Sequence, residues 1–115
     1  MLNIKHRLKK KKDFEKAAKA GKTIGSPALM LKFSPNNLEA SRIGFVVSKK
    51  ISNKAVVRNK VKRRLREAMR IFLPQLKPGF DLVFFTRSGI EKMDFEQVKQ
   101  VVEKLLTRAD LIYGN

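Results

Sequence analysis

The segment Ala55–Leu73 constrains this chain more than any other. Val57, Val61, Leu65, Ala68 and Phe72 recur at i, i+4, i+8, i+11 and i+15, which is one apolar stripe along an α-helix. On the opposite side, Asn59, Arg63, Arg66 and Arg70 fall at i, i+4, i+7 and i+11, flanked by Lys62. A helix of this kind buries its apolar stripe and leaves the other face to solvent or to a polar partner. A core must therefore form against Leu65 and its neighbours while a row of cations stays outside. Pro74 and Pro78-Gly79 end the segment.

The remaining elements follow from shorter patterns. Asp13 before Phe14 predicts a capped helix over Phe14–Ala20, stopped by Gly21. Ala28–Phe33 places Leu29, Leu31 and Phe33 on one side of a strand, and Ile43–Ser48 reads as a second strand. The turn residues Pro35-Asn36-Asn37 between them predict an antiparallel hairpin. A further strand is expected around Lys22–Ile24. Phe80–Thr86 is apolar on both faces apart from Asp81, which predicts a central strand. Asp94 with Gln97 three residues on forms a capping box, opening a last helix with the stripe Val98, Val101, Val102, Leu105 and Leu106. No repeat or low-complexity linker interrupts the series. The expectation is one α+β domain over residues 13–115, preceded by a flexible basic tail over 1–12.

Charge narrows the function. Lys and Arg number 27 against 10 Asp and Glu, for a formal net charge of +17. Residues 1–70 carry 21 of those cations and 4 acids, whereas residues 71–115 carry 6 of each. Between Ser48 and Arg66 stand nine cations and no acid. Solvated surfaces ordinarily mix the two signs, so this asymmetry points to a polyanionic partner. No cysteine is present, which removes disulfides, thiolate metal sites and cysteine nucleophiles, and a single histidine, His6, leaves little for zinc or triad chemistry. The acids are scattered, so no carboxylate pair for phosphodiester hydrolysis is apparent and no catalytic residue is assigned.

The longest apolar runs, Ile43–Val47 and Leu82–Phe85, are far too short for a membrane span. The apolar stripe of the basic helix is claimed by the core, which leaves no face for lipid. The N-terminus has no signal-peptide pattern, so the expected location is cytoplasmic. Arginine supplies a planar fork matched to phosphate, and lysine supplies point charges. Asn59, neutral and bifunctional among cations, suits a base edge or a sugar hydroxyl as well as it suits an idle helix surface.

Three blocks carry a family resemblance. Ala55-Val56-Val57-Arg58-Asn59-Lys60-Val61-Lys62-Arg63-Arg64-Leu65-Arg66 resembles the signature of the protein subunit of bacterial ribonuclease P, an Arg-Asn-Arg type triplet followed by an apolar residue and a basic pair. Arg42-Ile43-Gly44-Phe45-Val46-Val47-Ser48-Lys49-Lys50 resembles its strand leading into a basic loop. Arg7-Leu8, with Asp13-Phe14 six residues on, resembles its N-terminal helix entry. The three stand in family order and span residues 7–66.

The resemblance implies an αβββαβα sandwich, a single-domain α/β fold with an approximately four-stranded mixed sheet of the ribosomal protein S5 domain 2 type. Its β-α-β crossover would be left-handed, against the generic right-handed preference. It also implies a ribonucleoprotein partnership. The catalytic RNA subunit holds the active site and the Mg2+ ions, and the complex hydrolyses one phosphodiester to remove the 5′ leader of precursor tRNA. The isolated polypeptide would then be inactive, with neither membrane nor DNA as a partner.

By position, Lys49, Lys50, Lys54, Arg58, Asn59, Lys60, Lys62, Arg63, Arg66 and Arg70 would face RNA. Phe14, Ala18, Leu31, Phe33, Ala55 and Asn59 would line the leader cleft, and Arg7, Lys9 and Lys10 would extend the surface from the basic tail. The sequence departs from the family pattern in three places. Ala18 and Leu31 stand where many members carry aromatics, and Lys60 replaces the third arginine of the triplet. Composition and charge alone fit a generic ribosomal-type RNA-binding protein equally well; only the three blocks separate the two readings.

Overall fold

The computed structural model describes residues 6–8 and 10–114. The order of elements is α1 (Lys11–Ala20), β1 (Lys22–Gly25), β2 (Leu29–Pro35), β3 (Arg42–Val46), α2 (Ala55–Phe72), β4 (Phe80–Thr86) and α3 (Phe95–Arg108). The strands form one four-stranded sheet in the order β1-β2-β4-β3. β1 and β4 each pair antiparallel with β2, while β3 pairs parallel with β4, Ile43 opposite Leu82 and Phe45 opposite Phe84.

This topology corrects the expected hairpin. β2 and β3 are consecutive in the chain but not neighbours, because β4 lies between them. A parallel pair needs a long crossover, and here α2 is that crossover, carried between two adjacent strands. β4 is central, as its two apolar faces require.

Strand alternation gives the sheet two different faces. Leu29, Leu31, Phe33, Ile43, Leu82 and Phe84 pack against Val61, Leu65, Ala68, Met69 and Phe72 of α2 and Val98, Val102, Leu105 and Leu106 of α3. On the reverse face, Val83 is buried with Leu8 and Ala17, and Phe14, Val46 and Phe85 close around them. The sheet is thus covered by α2 and α3 on one side and by α1 on the other. Leu65, Leu31 and Phe84 are fully buried, and each such side chain contributes about 2 kcal/mol of transfer free energy.

The ends of the helices obey local chemistry. Asp94 accepts from the Gln97 N–H at 2.8 Å, and the Gln97 side chain accepts from the Asp94 N–H at 3.0 Å, which is the expected reciprocal cap. α2 runs to Phe72 and tightens into a 3-10 turn over Leu73–Gln75, where Pro74 fits. α1 begins at Lys11, ahead of the expected start, and Lys10 takes the cap position without a side-chain hydrogen bond. Asp13 therefore lies inside the first turn and caps nothing; its carboxylate is engaged by Arg42.

Part of the segment expected as a tail is also packed. Arg7 forms a parallel bridge with Ile43, and the Leu8 N–H donates to the Ile43 carbonyl at 2.9 Å with Leu8 buried. Residues 1–5 and Lys9 lie outside the described residues.

Candidate nucleic-acid interface

β3 is an edge strand with α1 over one of its faces and α2 over the other, and the space along it is a groove. A cavity of about 180 Å³ is lined by Arg7, Leu8, Phe14, Gly44, Phe45, Lys62 and Arg66. A more open one of about 430 Å³ is lined by Lys11, Phe14, Phe45, Val46, Val47 and Lys62. The two share Phe14, Phe45 and Lys62, so they form one continuous channel with apolar walls and basic rims.

Gly44 makes the channel possible. Its missing side chain is occupied by the Phe14 ring: a Cβ at Gly44 would stand 2.4 Å from two Phe14 ring carbons and 3.2 Å from the Leu8 Cβ. Glycine inside a strand often marks a close approach of this kind. Phe45, on the opposite face, stacks on Phe84 with centroids 5.7 Å apart and planes 15° from parallel. Phe14 and Phe45 both stay partly exposed in the channel. Gly44→Ala is expected to displace Phe14 and to destabilise the fold by about 1–2 kcal/mol, read from urea denaturation. Gly44→Ala combined with Phe14→Ala should lose less than the sum of the two single changes, because the clash vanishes with the ring.

α2 presents its cations beside this channel. Lys62 and Arg66 are half-buried at its rim, while Asn59, Arg63 and Arg70 stand exposed along the same side of the helix. Among the described residues, no ion pair engages a cation of α2. Like charges such as Lys62 and Arg66 at i and i+4 cost a helix about 0.3 kcal/mol per pair, an expense that the buried stripe on the other face offsets.

Lys54 opens the helix without a side-chain cap, and no acid lies in the first turn. The positive end of the helix dipole therefore adds to Lys49, Lys50 and Lys54, all exposed. The turn bearing Lys49 and Lys50 is fixed from below: Ile51 is buried, and the Arg58 guanidinium donates to the Ser52 carbonyl at 2.8 Å. Arg64, which was not expected in the interface, donates to the Met93 carbonyl at 2.9 Å and braces α3.

The expected cleft residues divide. Phe14 lines the channel. Leu31 and Phe33 do not: both are buried in the core against α2 and α3. A strand reverses its side chains at every residue, so the β2 residue turned toward α1 is Lys32. Its ammonium lies 5.6 Å from the centre of the Phe85 ring and donates to the Ala18 carbonyl at 3.4 Å. Ala18 is half-buried on α1 but outside the channel lining. Ala55 and Asn59 are exposed in the first turns of α2, also outside it. Arg7 reaches the channel, Lys10 and Lys60 are exposed, and Lys9 is not among the described residues.

Sequence reasoning missed Lys11, Phe45, Val46 and Val47 as lining residues. The signal available was Gly44, a glycine within the apolar run Ile43–Val47.

Two carboxylates close to α1 and β3, Asp13 and Asp81, are engaged by Arg42. Arg42 donates through Nε and Nη2 to Asp81 at 2.9 and 2.8 Å and through Nη1 to Asp13 at 3.2 Å. Asn36 adds a hydrogen bond to Asp81 at 2.9 Å. These bonds, those to Asp81 first, hold Arg42 above its ordinary pKa, and a guanidinium is charged at every working pH in any case. No carboxylate lines the channel, and no three metal-ligating side chains converge among the described residues. A divalent cation would meet ammonium and guanidinium groups here, so a magnesium ion does not fit these residues.

A family model described as Ribonuclease P matches residues 2–110. The chain belongs to the ribonuclease P protein family. The ribonuclease P protein component of Roseiflexus castenholzii is 39% identical over 110 residues, covering 95% of this chain and 89% of that protein. Its counterpart from Caldanaerobacter subterraneus is 41% identical over 105 residues, covering 91% and 90%. Among solved structures, the RNase P protein of Staphylococcus aureus matches with a TM-score of 0.86 at 28% identity, over 94% of this chain and 98% of that one. The Thermotoga maritima RNase P protein, in complex with 1-(4-fluorophenyl)-2-thiourea, matches with a TM-score of 0.81 at 35% identity, over 89% and 98%. The αβββαβα order and the mixed sheet are thus those of ribonuclease P proteins.

Proposed function

We propose that this chain, as the protein component of ribonuclease P, holds the single-stranded 5′ leader of precursor tRNA in the channel along β3 while the exposed side of α2 rests on the catalytic RNA. The observation that carries this reading is the joint lining of one channel by two aromatic rings, Phe14 and Phe45, and by the cations Arg7, Lys11, Lys62 and Arg66. Unpaired strands are bound in this way: rings stack on bases at about 1–3 kcal/mol per base and cations track the backbone. A duplex has no splayed bases to offer those rings.

The roles divide along the helix. Lys62 and Arg66 neutralise leader phosphates from the rim. Arg63, Arg70, Lys60 and Asn59, with Lys49, Lys50 and Lys54 at the helix entrance, face the partner RNA, where arginine forks grip phosphate and Asn59 reads a base edge or a ribose hydroxyl. Cleavage belongs to the catalytic RNA, and Mg2+ is held by that RNA. Among the described residues, no helix is long and apolar enough to cross a membrane.

The test is reconstitution with a cognate catalytic RNA at low magnesium. The assembled particle is expected to bind precursor tRNA at least about 10-fold more tightly than the same tRNA lacking its leader, which is the worth of one or two stacked bases. Equal affinity for both would favour a generic ribosomal-type RNA-binding role. The polypeptide freed of RNA is expected to leave precursor tRNA intact in the same assay.

A further inference from the structure

α1 forms one wall of the channel, and its two ends are held by different means. At the C-terminal end a single residue, Gly21, joins it to β1. A Cβ there would stand 2.5 Å from the Ala17 carbonyl oxygen and 2.6 Å from the Phe33 carbonyl oxygen, so this end packs backbone against backbone on β2. Ala17, buried against the sheet, fixes the middle. The N-terminal end, which carries Phe14, lies about 12 Å away along the helix axis. There, among the described residues, the side-chain ion pair is that of Asp13 with Arg42.

Arg42 is a rigid anchor for that pair. Its Nε and Nη2 are spent on Asp81, which is buried and also bonded to Asn36, leaving Nη1 to reach Asp13. Arg42 and Gly44 point to the same face of β3, two residues apart, and Asp13 and Phe14 are consecutive on α1. Asp13 meets Arg42 where Phe14 meets Gly44.

We propose that Asp13 and Arg42 are positioning residues for the leader: their ion pair sets the angle of α1 about the Gly21 end, and with it the distance from the Phe14 ring to the basic rim of α2. This rests on the reading of the channel as the leader site. Neither residue lines the channel, so their effect on the leader passes through Phe14.

The experiment compares Asp13→Ala with Asp13→Glu, leaving the buried Arg42–Asp81 pair intact. Two quantities are measured. The first is amide hydrogen exchange of the free protein. Asp13→Ala should speed exchange in α1 by about threefold or more while β4 is unchanged. The second is the affinity of the reconstituted particle for precursor tRNA with and without its leader. Asp13→Ala should weaken the leader-bearing substrate by about threefold to tenfold and leave both the leaderless tRNA and the catalytic RNA within about twofold. Asp13→Glu, which keeps the carboxylate, should restore both readouts.

Unchanged exchange in α1 overturns the tether. Faster exchange with equal losses for the two substrates overturns the link to the leader and leaves a purely structural contact. If the unmodified particle does not prefer the leader, the channel reading fails on that measurement alone. The leader-positioning role then fails with it, and exchange still decides whether the tether exists.

Discussion

A particle reconstituted with Lys62 and Arg66 both replaced by alanine is expected to bind precursor tRNA about 100-fold more weakly at physiological salt. Charge-assisted hydrogen bonds to phosphate are worth about 1.5–3 kcal/mol each, and part of the two losses will be made up by neighbouring cations. The more diagnostic quantity is the salt dependence. Each phosphate contact contributes about 0.7–0.9 to the slope of log affinity against log salt, so the variant's slope should flatten by about 1.5. Filter binding across a salt series reads both numbers. Folding should be unharmed, because both side chains keep contact with solvent and like-charge strain along α2 is relieved. Replacing Lys99 and Lys104 on α3 removes as many charges per residue but should change affinity by less than about twofold, since these lie in the electrically balanced part of the chain. If the two sets behave alike, binding is a matter of overall charge and α2 has no special standing.

Asp81→Ala should be strongly destabilising although Asp81 lies away from the channel. Asp81 is buried and takes two hydrogen bonds from Arg42 and one from Asn36. Removing it strands a guanidinium whose side chain is only 24% exposed, with the more distant Asp13 as its remaining partner. Breaking a buried pair from one side costs about 3 kcal/mol, which corresponds to a fall in Tm of about 10 °C for a domain of this size. Because Arg42 stays charged at every working pH, the loss should persist across the neutral and alkaline range. Calorimetry at two or three pH values checks this, and a variant melting within a degree or two of the parent would show the network to be worth little.

What could be read before the structure was what depends on near neighbours in the chain. The two faces of α2, the reciprocal cap of Asp94 and Gln97 and the central character of β4 all follow from residues within a few positions of each other. Strand pairing does not. Ile43–Val46 shows the same alternation whether its partner is β2 or β4, and its true partner lies beyond an 18-residue helix. The misplacement of Leu31 has a similar origin. Moving an alignment by one residue exchanges the two faces of a strand, and Leu31 and Lys32 differ in just this way. Asp13 was misjudged because a carboxylate near a helix start serves equally as a cap or as half of an ion pair, and Arg42, which decides it, is 29 residues away.

The placement of β4 between β2 and β3 has a consequence for how the molecule is made. Every residue that lines the channel, from Arg7 to Arg66, precedes Phe80. During synthesis the whole cationic portion emerges from the ribosome before the strand on which both halves of the sheet are zipped together. Until that strand arrives, α1 has no Val83 to rest on and β3 has only the bridge from Arg7 beside it to hold Gly44 in register. A nascent or truncated polypeptide ending short of Phe80 would carry the full complement of binding side chains with no shaped receptacle, attracting polyanions indiscriminately. On the proposed reading, selectivity is thus owed to the electrically neutral last third of the chain.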